Sequence, residues 1–94
     1  MRILDLVINE VAVGKLAARG ISSLEIEQVI ANDPSVGDNP EPRVHGSKAL
    51  VGPTDAVRFL TVILQPDEDT ATRWHVMTAW ESSARQINAF HRDR

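Results

Sequence analysis

The chain has 94 residues, 43% of them apolar and 24% charged, with no cysteine and a formal charge of -3. One domain with a single modest core fits that length, since such a chain buries about 60–65% of its unfolded surface. The lack of cysteine excludes a disulfide scaffold and thiolate metal sites, and the acidic balance excludes gripping nucleic acid with the whole surface, so RNA contact would need a local patch.

The chain opens on MRILDLVINEV, which lacks the apolar core of a secretory signal. No apolar run approaches the ~18 residues of a membrane span. A cytoplasmic protein without membrane contact is the expectation. Residues 2–8, RILDLVI, read as a strand. Asn9 is placed to cap a helix over 9–19, with Glu10 in its first turn. Val13, Leu16 and Ala17 follow amphipathic spacing, and Gly20 suits the left-handed position after the helix end. Ile21 would then pack back on Leu16. Ser22 and Glu25 form a capping-box pattern opening a second helix over 23–32, with Ile26, Val29 and Ile30 as its stripe. Pro34 ends that helix.

Residues 33–42, DPSVGDNPEP, read as a solvated loop. RVH, then Gly46-Ser47, then KALV suggest a hairpin. Pro53-Thr54-Asp55 is a turn. VRFLTVILQ, over 57–65, is the most apolar run and reads as the central strand; TRWHVMTAW, over 72–80, reads as the last strand. Glu81 to Arg92 is the final helix, capped near Ser82 or Ser83, with Ile87 and Phe90 inward. The expected order is β-α-α-β-β-β-β-α. This is an α+β domain over 1–94, with two N-terminal helices on one face of a mainly antiparallel sheet of about five strands, in two layers, and a C-terminal helix.

The histidines at 45, 75 and 91 show no metal-ligand spacing, and no P-loop or dinucleotide fingerprint occurs, so neither metal nor cofactor is expected. What remains is a set on the sheet: Arg43, His45, Lys48, Arg58, Arg73 and His75. Such residues can cleave RNA without metal. The 2′-hydroxyl needs a base, the leaving oxygen an acid, and the phosphorane positive charge. His45 suits a proton carrier, Arg58 a phosphate fork and Lys48 a second cation. Each also has a plainer reading. His45 is equally a solvated turn residue, Arg58 a snorkelling sheet-edge arginine, and His75 a packing residue alternating with Met77 and Ala79. Simple alternation puts Trp74, Val76, Thr78 and Trp80 on one face, as core, partner contact or base-stacking surface. Arg43, Thr78, Trp80 and Arg85 are the candidate contacts to RNA or a partner. The basic C-terminal end complements the helix dipole and needs no function.

KLAARGISSLEIEQVIAND resembles the opening helical pair of small RelE-superfamily proteins, closest to BrnT-type toxins and related short toxin-like domains. Arg58-Phe59-Leu60-Thr61-Val62 resembles their central strand, and Val76-Met77-Thr78-Ala79-Trp80-Glu81 their last strand and its exit. The resemblance covers most of residues 8–92. It implies an α+β endoribonuclease toxin of a type II pair, cutting mRNA and silenced by a cognate antitoxin. Arg58 carries over to the family's site; His45 and Lys48 come from chemistry alone. The BrnT-type Ser-Ala-Arg is here Thr78-Ala79-Trp80, so a tryptophan replaces a site arginine. That departure sustains an alternative: a non-catalytic module using the Trp74/Trp80 face to bind a partner or its own copy. A DNA-binding or antitoxin role lacks a visible recognition helix.

Overall fold

The computed structural model describes residues 1–39 and 45–93. It contains β1 (Asp5–Val7), α1 (Glu10–Ala18), α2 (Ser23–Ala31), β2 (Ser35–Asp38), β3 (Lys48–Pro53), β4 (Phe59–Pro66), β5 (Arg73–Glu81) and α3 (Ala84–Arg92). The order matches the expected β-α-α-β-β-β-β-α, and the fold is α+β.

Local signals account for most element ends. The Asn9 side chain accepts the Ala12 N–H at 2.9 Å and starts α1. At its end Gly20 takes φ 69, and the N–H groups of Gly20 and Ile21 return to the carbonyls of Ala17 and Leu16. Ile21 and Leu16 are both buried, which closes that cap with an apolar contact. Ser22 and Glu25 form the reciprocal capping box of α2. Ser83 and Gln86 form the same device at α3.

The five strands lie in the order β1-β5-β4-β3-β2. β1 joins β5 in parallel, and every other pair is antiparallel. Leu50, Leu60, Val62, Leu64, Trp74, Val76 and Ala79 face α1 and α2, where they meet Leu16, Ile21, Ile26 and Val29. Burying each such aliphatic side chain stabilises the fold by about 1.5–3 kcal/mol. Gly52 passes so close to α2's exit that a methyl there would stand 3.1 Å from Pro34 Cβ.

Three expectations are corrected. The strand placed at RVH is supplied by Ser35–Asp38, inside the segment read as a loop; Val36 pairs with Leu50 despite flanking Pro34 and Gly37. Tertiary pairing overrides turn-forming composition there. His45 sits in a turn, and Arg43 lies outside the described residues. The second correction concerns layers. α3 packs on the opposite face: Phe90 meets Phe59 edge-on at 5.3 Å, and Gln86 meets Thr61. The sheet therefore has helices on both sides.

The third correction is the tryptophan face. Ile63 pairs with Thr78, but Leu64 pairs with Val76, so Met77 is an extra residue in β5. Such a bulge breaks strict alternation. Trp74 and Val76 pair with Pro66 and Leu64 on the α1/α2 face, whereas Trp80 pairs with Thr61 on the α3 face. The two tryptophans do not share a surface.

Deleting Met77 should join Val76 directly to Thr78, remove the bulge and leave Ala79 and Trp80 on their present faces. The expected result is a retained cooperative thermal transition by circular dichroism, as for Met77→Ala at this exposed site; loss of the transition in the deletion variant alone would show that the bulge is required.

Candidate functional site

Arg58 leaves a tight turn in which Thr54 N–H reaches the Arg58 carbonyl at 2.9 Å, and Arg58 N–H reaches Thr54 Oγ1 at 3.1 Å. Val57 adopts φ 62, a left-handed conformation that costs a branched residue about 1–2 kcal/mol. The turn aims Arg58 at the α1–α2 corner. Its Nη1 donates to the Gly20 carbonyl at 2.9 Å and to Glu25 Oε2 at 3.0 Å; Nε and Nη2 donate to Glu81 Oε1 at 3.0 and 2.8 Å. The Arg58 and Glu25 side chains are 28% and 25% exposed, and Glu81 is open at 69%. Glu25, and then Glu81, raise the Arg58 pKa. The Ser22 backbone N–H, and then Arg58, hold the Glu25 carboxyl below its ordinary 4.5.

The other sequence candidates lie elsewhere. Lys48 pairs across the sheet with Leu64, six steps along the strand from Arg58, or ~20 Å at about 3.3 Å per residue. Its ammonium binds Asp38 at 2.6 Å on the surface. His45 is exposed beside Gly46, which lies against Pro66 at that same end. The structure thus separates Arg58 from Lys48 and the His45 turn. Trp80 is half-buried, its indole N–H 3.4 Å from Gln86 Oε1. Thr78 Oγ1 accepts from Arg19 at 2.8 Å, and the same guanidinium takes the Ala79 carbonyl at 2.8 Å. Arg85 stands exposed on the first turn of α3.

Two groupings escaped the sequence reading. Asp67 Oδ2 accepts the N–H groups of Asp69 and Thr70, and Oδ1 accepts His75 Nε2–H at 2.7 Å. The His75 bond is the main cause that lowers the Asp67 pKa. This leaves His75 Nδ1 as the ring's other nitrogen, on a side chain 34% exposed. The turn-forming D-x-x-T of PDEDT was the available signal. Beneath α3, Gln86 Oε1 gathers Ser83 N–H and Thr61 Oγ1–H, and Thr61 also meets Ser82 at 2.8 Å. Among the described residues, no group of three histidines or carboxylates is arranged to hold a metal, and no helix is long and apolar enough to cross a membrane. No family model, curated protein or solved structure matches the chain.

Arg58→Ala should destabilise the fold by about 1–3 kcal/mol, because half-buried Glu25 loses its guanidinium partner and keeps only the Ser22 groups; the exposed Glu81 arm contributes little. Folding lowers the Glu25 pKa, so the stability tied to its ionisation is present above pH 4.5 and fades as pH falls through the lower folded value. Urea midpoints for the parent and Arg58→Ala should therefore converge between pH 7 and pH 3. Val57→Asn should stabilise by about 1 kcal/mol in the same assay, since asparagine tolerates the left-handed region.

Proposed function

We propose that this chain is a non-catalytic protein-interaction module on the RelE/BrnT-like scaffold that its sequence resembles. The observation that carries this reading is the occupancy of Arg58, the one site residue the resemblance transfers. Its guanidinium is bonded to two carboxylates and a carbonyl, and its positive charge is largely matched. Electrostatic catalysis needs donors aimed at developing charge, not already paired. Tryptophan at position 80 supports the same reading. A cytoplasmic location belongs to this proposal too.

One observation favours a second reading, an mRNA-cutting endoribonuclease toxin held by a cognate antitoxin. His75 is oriented by Asp67 as a general base would be, at the end that also carries His45 and Lys48. The same turn also carries Glu68 and Asp69, and Asp5 binds Arg73 at 2.7 Å. That density of carboxylates opposes an RNA backbone.

Inducing the chain alone in bacterial cells separates the two. Growth should continue and full-length mRNA should persist. Arrest with mRNA loss, abolished by His75→Gln and retained in Arg58→Ala, would establish the ribonuclease reading at the His75 end and discard the module.

A further inference from the structure

β2 is an edge strand, and its outer side has no strand partner among the described residues. Asn39 N–H bonds the Ser47 carbonyl, so Asn39 faces β3. Antiparallel alternation then turns Ser35 and Gly37 toward β3 as well, and turns the N–H and C=O of Val36 and Asp38 outward. A groove flanks this edge on each face. On the α1/α2 side a cavity of about 380 Å³ is lined by Met1, Ile3, Ile30, Val36 and Leu50. On the α3 side one of about 200 Å³ is lined by Ser35, Gly37, Ala49, Val51 and Phe90. Ser35 Oγ is buried there with no hydrogen-bond partner.

We infer that this edge receives an extended segment of a partner protein, added as a sixth strand, with aliphatic side chains alternating with small hydroxyl-bearing ones and basic flanks. The inference rests on the interaction-module reading and names its surface. An added strand sends successive side chains to opposite faces. Its larger residues therefore enter the larger, aliphatic groove, and its smaller ones enter the narrow groove, where a hydroxyl pairs with Ser35. Acidic residues border the edge: Asp33 lines the larger groove, Asp93 the smaller, and Asp38 stands in the strand itself. The Asp38–Lys48 pair is exposed and of small energetic weight. A second copy of this chain, itself at net charge -3, would set these acids against the same acids. A basic partner meets them with opposite charge.

The test is fluorescence anisotropy with a labelled Lys-Lys-Val-Thr-Leu-Thr-Val-Lys-Lys peptide, alongside amide chemical-shift mapping. A version with every lysine replaced by glutamate is the control. Val36→Pro removes an outward N–H, which an edge strand tolerates. Ala49→Leu fills the smaller groove and serves should the proline variant unfold. Binding of the lysine peptide, shifts centred on Val36 and Asp38, and at least tenfold weakening in either folded variant are expected. No binding by either peptide, equal binding in both variants, tighter binding of the glutamate peptide, or shifts centred on α1 would overturn the inference. Self-association removed by Val36→Pro would overturn it in favour of a second copy. None of these results bears on toxicity, so the module reading stands or falls separately by the cell experiment.

Discussion

One guanidinium ties the corner of the helical pair to two strands of the sheet. Arg58 leaves the turn before β4, takes the carbonyl at the α1–α2 corner, and holds a carboxylate from α2 and another from the end of β5. Glu25 serves twice, as partner of Arg58 and as the capping residue of α2. The start of α2 and one polar tie from α2 to the sheet therefore use the same carboxylate. The strained Val57 next door is the conformational cost of aiming that side chain.

This arrangement changes what the resemblance is worth. A family position occupied by the expected residue type says nothing about whether its charge is free. Here the residue matches and the charge is taken. The opposite end of the sheet holds an oriented histidine in acidic surroundings, where the nearby Arg73 is paired with Asp5. Chemistry that needs both ends at once is ruled out by about 20 Å of strand. What the surface offers instead is backbone: four outward polar groups on β2 between two grooves.

How legible this was depended on the range of the interaction. Asn9, Gly20, Ser22 with Glu25, and the apolar run of β4 all act within a few residues, and their signals located both N-terminal helices and the central strand. β2 was hidden because Pro34, Gly37 and two aspartates make a turn composition that only pairing with β3 overrules. The bulge at Met77 was hidden because no residue type marks it; it is defined by β4, the partner strand. The fate of Arg58 was hidden for the same reason, since Glu25 and Glu81 lie far from it in sequence on either side. The candidate residues were nameable from chemistry, but their grouping was not.

The parallel pairing of β1 with β5 has a consequence for synthesis. Asp5 and Arg73 are partners, so the first strand made must wait for the last. A nascent chain ending before β5 can form α1 and α2 by their own caps, yet it leaves Val62 and Leu64 without their neighbours Ala79 and Val76. Pairings this distant form slowly and keep apolar surface exposed meanwhile. The emerging chain thus passes through a stage, ended only by release of its final strand, in which it is an open template for other strands or a substrate for chaperones.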